Sequence, residues 1–225
     1  SERFADSLAL RSRLEKLADD TEIRVRYQLA FSIGTVRGEF RNRVIAKLAD
    51  RDGGDPWFRL ALLSSLNEGA GEAFRLLGSD NAFRATAHGR SLLATLATQI
   101  GASNRKDEIA AVLQSLDALP DGETSLADAI VRGLVAKQQP AAKKLLTEAA
   151  GGKAAEVLAD LLREARETAP NERREVADRA EAIRTLGLAG FGGLAPLFAE
   201  LLKLRQPQPV QAAAIETLAK FDHPA

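Results

Sequence analysis

ADDTEIRVRYQLAFSIG, residues Ala18–Gly34, and ADRDGGDPWFRLALLSSL, residues Ala49–Leu66, are two copies of one pattern. Each opens on Ala-Asp, and alignment of their helical parts sets Arg26 on Arg59, an offset of 33 residues. A period between about 20 and 50 residues marks stacked repeats, whose single units are too small to bury their own apolar faces. The pattern predicts a helical scaffold.

The bulk composition agrees with a folded helical chain. Hydrophobic residues make up 45% and charged residues 28% of the 225, ordinary values for a globular protein. Lys plus Arg total 31 and Asp plus Glu total 31, so no global charge draws the chain to nucleic acid or anionic membrane. The absence of Cys excludes disulfides, thiolate zinc sites, covalent haem attachment and Cys nucleophiles within this segment. No apolar run approaches the roughly 18 residues a membrane-spanning helix needs. The chain begins at Ser1 without a signal peptide and holds no Met, and it is read as a piece of a longer polypeptide.

Along the chain, Ala and Leu dominate and period-two β-branched runs do not occur. A first helix is expected near Phe4–Ala18, with Leu10, Leu14 and Leu17 on one stripe. Asp19 or Asp20 then caps Glu22–Thr35, whose Ile23, Tyr27, Ala30, Phe31 and Gly34 share a face that Leu29 and Ile33 widen. So wide an apolar surface predicts burial from several sides. An amphipathic helix follows at Gly38–Asp50, with Phe40, Val44, Ile45 and Leu48 inward and Arg41, Arg43 and Lys47 outward. Asp55-Pro56 is a strong start signal for Pro56–Leu66, in which Arg59 is the one charge.

The region from about 78 to 170 is less regular. Helices are expected at Gly69–Leu77, Asn81–Ile100 and Lys106–Leu116, and Ser125 with Asp128 suggests a capping box for a helix through Lys137. Pro140 opens a short helix ending at Gly151-Gly152, read as a C-cap and turn or as a hinge, and Lys153–Thr168 follows. The pattern returns in Asp178–Gly187, Leu194–Leu204 and Pro209–Leu218, where Arg179 and Gln211 lie 32 residues apart. Phe221-Asp222-His223-Pro224 has the form of a turn into a further repeat.

Asp20 before Val25-Arg26 and Leu29-Ala30, and Pro209-Val210-Gln211 before Ala213-Ala214 and Leu218, resemble the second helices of HEAT repeats. The resemblance covers roughly Phe4–Leu66 and Asp178–Pro224. It implies an all-α, HEAT-type α-solenoid, a right-handed superhelix of antiparallel helix pairs, here one array of about six pairs over residues 1–225. More narrowly, Ala18–Leu66 and the last repeat are similar to the HEAT segment of large secreted planctomycete-type proteins, which join a dehydrogenase-like β-propeller to a c-type cytochrome domain. That likeness implies an interdomain spacer in an extracytoplasmic oxidoreductase; without it a cytoplasmic location is expected. No catalytic or haem residue transfers to this chain.

Site candidates follow from the same residues. Arg26 and Arg59 at one repeat position suggest either a ligand ladder or, the favoured reading, hydrogen bonds to turn carbonyls or to a neighbouring Asp. Trp57 on its nearly apolar helix is expected in the core. Arg24, Arg37, Arg41, Arg43, Lys47 and Arg51, with Arg26, outnumber Glu39 and Asp50 and form a possible interaction surface, either a solvated face for an acidic protein or a nucleic-acid stripe. His88 and His223 lack any metal or catalytic pattern, Asp50, Asp52 and Asp55 fail the calcium-loop spacing, and Gly190, Gly192 and Gly193 lack the context of a phosphate loop. The expected function is a non-catalytic scaffold, with no cofactor in this segment, contacting a protein partner or sister domains. The redox spacer is the alternative, and nucleic-acid binding is the least favoured.

Overall fold

The computed structural model describes residues 8–137, 139–148 and 152–221. The expectations placed on Phe4, Gly151 and Asp222-His223-Pro224 lie outside these residues. The described residues form helices and turns with no strand. Their contacts divide into two compact units, Ser1–Ala149 and Ala150–Ala225.

The first unit opens with α1 (Leu8–Ala18), α2 (Ile23–Ser32), α3 (Glu39–Asp52), α4 (Pro56–Ser64) and α5 (Ala70–Ser79). It continues with α6 (Asn81–Ala85), α7 (Ala87–Ser103), α8 (Lys106–Asp117), α9 (Thr124–Val135) and α10 (Pro140–Glu148). Local chemistry sets several starts. Asp55 Oδ1 accepts from Trp57 N at 2.8 Å and Phe58 N at 2.9 Å, with Pro56 supplying the preset φ of the first turn. The helix expected over Asn81–Ile100 is broken at Thr86, whose backbone is extended and whose Oγ1 accepts from Gly89 N at 3.0 Å to start α7 afresh. Ser125 caps nothing: α9 begins at Thr124 with no side-chain cap.

Most of the extensive helix contacts join helices two or three places apart in the chain. Thus α1, α3, α5, α8 and α10 form successive neighbours, as do α2 with α4 and α7 with α9. Adjacent helices also touch: α1 with α2, α3 with α4, and α9 with α10. Helices α2 and α4 run in the same sense. Tyr27 meets Phe58 near their starts with ring centroids 5.8 Å apart, and Ser65 Oγ donates to Ala30 O near their ends at 2.5 Å. Leu29, Ile33, Phe40, Ile45, Leu48, Phe58 and Leu62 are all buried. Each such side chain contributes roughly 1.5–3 kcal/mol on transfer from water, which explains why short helices of low intrinsic stability hold together here.

Glycine sets the closest approach between helices. A Cβ on Gly34 would lie 2.9 Å from Ser65 Cα, and one on Gly71 would lie 2.8 Å from Glu108 Cα.

The second unit contains α11 (Lys153–Thr168), α12 (Val176–Leu186), α13 (Ala195–Leu201) and α14 (Gln208–Leu218). Helix α12 packs on α11 and α14, and α13 packs on α14. Ile183, Leu186, Phe198, Leu201 and Val210 form the core with Ala165, Ala180, Ala213 and Ala214, whose small side chains admit close helix contact.

Two burial expectations are corrected. Trp57 is 69% exposed, not part of the core, because α4 turns Phe58, Ala61 and Leu62 inward and leaves Trp57 and Leu60 on its open side. Ile23 and Phe31 are likewise exposed, so α2 is not enclosed from several sides.

Candidate functional site

The repeated arginines perform one local task. Arg26 Nη1 donates to Asp20 O at 2.7 Å and Thr21 O at 3.1 Å. Arg59 Nη1 donates to Gly53 O at 2.8 Å and Gly54 O at 3.2 Å. Both reach six and five residues back, onto carbonyls of the turn that precedes their own helix. Arg90, which sequence reading passed over, makes a related bond from Nε to Arg84 O, six residues back, at 3.0 Å. A guanidinium fork suits this task because it offers several fixed donors to closely spaced oxygens.

Arg26 also binds Asp52 at the end of α3, through Nε to Oδ2 at 2.7 Å and Nη2 to Oδ1 at 2.6 Å. Both side chains are more than nine-tenths buried. The Asp52 hydrogen bond raises the Arg26 pKa against the opposing pull of burial. The recurrent position therefore holds a turn to its helix and, at Arg26, ties that helix to the next.

In the second unit the two corresponding residues converge on Gln206, which is buried. Arg179 donates from Nη2 to Gln206 Oε1 at 2.6 Å and from Nε to Ala169 O at 3.0 Å. Gln211 Nε2 donates to Gln206 O at 3.0 Å and Lys203 O at 2.9 Å.

The six cations read as an interaction surface do not stand together free. Arg41 is a correction: it is 3% exposed rather than outward, with Nε and Nη2 donating to Asn42 Oδ1 and Nη2 reaching Gly69 O at 3.4 Å. Burial lowers its pKa, while the charges of Glu108 and Glu68 oppose that shift. Arg37 pairs with Glu68 at 3.4 Å, Arg43 with Glu39 at 3.9 Å and Lys47 with Asp19 at 2.5 Å. Arg24 and Arg51 remain exposed. A phosphate backbone needs cations in line without interleaved acids; here Arg41 is buried, and Glu68, Glu39 and Asp19 lie beside Arg37, Arg43 and Lys47.

An open cleft of about 430 Å³ lies beside α3 and α5, lined by Arg43, Lys47, Asp50, Leu76, Asp80 and Phe83. Its charges are of both signs, and Asp80 already caps α6 by accepting from Ala82 N and Phe83 N. Among the described residues no group of three or more His, Asp or Glu side chains is placed to hold a metal ion. His88 lies edge-on to Phe83 at 5.8 Å, and its Nε2 is buried with no hydrogen-bond partner. No helix among the described residues is long and apolar enough to cross a membrane.

Among the described residues of the first unit, α2 and α4 carry four exposed large apolar side chains. Trp57 and Leu60 are 69% and 56% exposed, and Ile23 and Phe31 are each 48% exposed. Tyr27, half-buried between them, packs edge-on to Phe31 at 5.1 Å and to Phe58 at 5.8 Å. Sequence reading missed this surface, because apolar side chains on a short helix read as core until its neighbours are placed.

Comparison with known proteins gave no match: no family model, no curated protein and no solved structure corresponds to the chain.

Proposed function

We propose that the chain is a non-catalytic helical scaffold of the HEAT-type solenoid class, contacting a protein partner or a sister domain of the same polypeptide. One observation carries this reading: the Arg26 bond to its preceding turn recurs at Arg59 after 33 residues, in helices that pack side by side. Repetition of a stitching contact on neighbouring helices is the construction principle of repeat arrays. Such arrays present extended surfaces, and the exposed aromatic area of α2 and α4 fits contact with protein. The burial of Arg41 and the carboxylates interleaved with Arg37, Arg43 and Lys47 favour this over nucleic-acid binding.

The test uses the full chain, immobilised and exposed to extract of its source cells, with retained proteins mapped by cross-linking. Retention of a defined protein, cross-linked to helix surfaces, is the expected result. No protein retained above an unrelated helical control would refute the scaffold reading.

A further inference from the structure

The turn between α11 and α12 lies open. Helix α11 ends at Thr168 and α12 starts at Val176, and Pro170, which has no amide hydrogen, cannot carry the first helix on. Every residue from 170 to 175 is exposed. The backbone bonds within this stretch are short in reach. Asn171 N donates to Thr168 O at 3.1 Å and Arg174 N to Asn171 O at 3.0 Å. Arg173 N donates to Asn171 Oδ1 at 3.0 Å. Each closes a span of three residues or fewer, so the turn can be drawn out while both helices stay intact.

The same turn carries a distinctive pair. Adjacent cations occur at Arg105-Lys106, Lys143-Lys144 and Arg173-Arg174. Arg105 is held by Asn67 O and Glu108, Lys106 opens α8, and Lys143-Lys144 lie inside α10. Arg173 and Arg174 are outside any helix, and their side chains make no hydrogen bond or ion pair among the described residues. Other loop cations are paired: Arg37 with Glu68, and Lys203 and Arg205 with Glu200. Exposed polar turns are where proteases nick a folded chain. A protease with a carboxylate at the base of its primary pocket selects a free guanidinium there, through charge-assisted hydrogen bonds.

Contacts on either side of the turn do not depend on its continuity. Ala165 and Ala169 before it share one buried cluster with Ala180, Ile183 and Leu186 after it. Arg179, 2% exposed, donates from Nε to Ala169 O at 3.0 Å, and Gln206 Nε2 donates to Glu172 Oε1 at 3.3 Å. A severed turn therefore leaves α11 bound to α12.

We propose that the Arg173-Arg174 turn is a processing site for an arginine-selective serine endoprotease, which converts the chain into a two-chain form that stays folded. The reaction is hydrolysis of the peptide bond after Arg173 or Arg174. Water supplies the hydroxyl that makes the arginine carbonyl a carboxylate, and the hydrogen that makes the next residue's nitrogen an amino terminus. No other reactant is consumed.

The test treats the full folded chain with trypsin at low ratio, and follows the products by intact mass. The first cut within the described residues should fall after Arg173 or Arg174, ahead of Arg37, Lys203 and Arg205. The two pieces should elute together in gel filtration, with the circular dichroism of the intact chain, and separate only in denaturant. A pocket built for a charge rejects its neutral analogue, so Arg173→Gln/Arg174→Gln should slow loss of intact chain by about tenfold or more. Its unfolding midpoint should match the wild type, which excludes a change in stability as the cause. A first cut elsewhere, an unchanged rate in the double variant, or pieces that part in native buffer overturns the proposal.

Discussion

Arg26→Met should be among the costlier single changes in the first unit. The substitution keeps much of the side-chain length but removes the two-point contact with Asp52 at 2.6 and 2.7 Å and the bonds to Asp20 O and Thr21 O. Asp52 is left as a carboxylate whose side chain is 7% exposed. It is also the last residue of α3, where the helix dipole disfavours negative charge. Stranding one member of a buried pair costs about 3–5 kcal/mol, against a total stability of about 5–15 kcal/mol for a typical domain. The assay is denaturant unfolding followed by circular dichroism, with the free energy taken from midpoint and slope. If the stranded charge is the cause, Arg26→Met/Asp52→Leu should be more stable than Arg26→Met alone, since an apolar pair can replace a buried ion pair at little cost. A loss below about 1 kcal/mol for Arg26→Met would mean that the pair behaves as a solvated surface contact. Simple additivity of the two single changes would equally refute the coupling.

Other perturbations test different parts of the fold. Trp57→Ala should change unfolding free energy by less than about 1 kcal/mol, because the side chain is largely solvated; a loss of about 3 kcal/mol or more would place it in the core. Gly34→Ala should destabilise by about 1–3 kcal/mol in the same assay, since the new Cβ would meet Ser65 backbone atoms 2.9 and 3.1 Å away and force α2 from α4. A neutral result would show that the two helices separate freely. Hydrogen bonding to Arg75 holds the Glu72 carboxyl below its ordinary pKa. Its contribution is therefore present above the unfolded-state value and lost as pH falls through the lower folded one. In acid titrations of stability, Glu72→Gln should remove that component, at most a few tenths of a kcal/mol for so exposed a pair, and an unchanged acid slope would contradict the assignment.

Local signals were legible where a few neighbouring residues decide the outcome. Asp55-Pro56 predicts the start of α4, and Lys153–Thr168 matches α11 at both ends. Arg26 and Arg59 were readable as turn-binding residues because their spacing repeats and their acceptors lie close in sequence. Thr86 was not read as a break, although a Thr three residues before Gly89 can serve as a cap, because the apolar pattern continues across it. Burial was harder to read than helicity. Arg41 shares α3 with outward Arg43 and Lys47, yet the carbonyl that receives it belongs to Gly69, 28 positions away. Trp57 looked enclosed because its helix carries one charge, but periodicity gives the width of an apolar face and not the presence of something to cover it. The exposure of Ile23, Phe31 and Leu60 was hidden for the same reason.

The tying contacts of the first unit share a modest reach along the chain. Arg26 to Asp52 spans 26 positions, and Gly69 to Glu108 and Arg84 to Glu123 each span 39. A chain held by such near neighbours closes small loops, each at limited entropic cost, and has no need to bring its distant ends together first. It should therefore assemble quickly and from more than one starting point. The same economy works in reverse: one end of the unit can loosen while contacts farther along persist. Amide exchange would then rise in steps from pair to pair, in place of one shared opening.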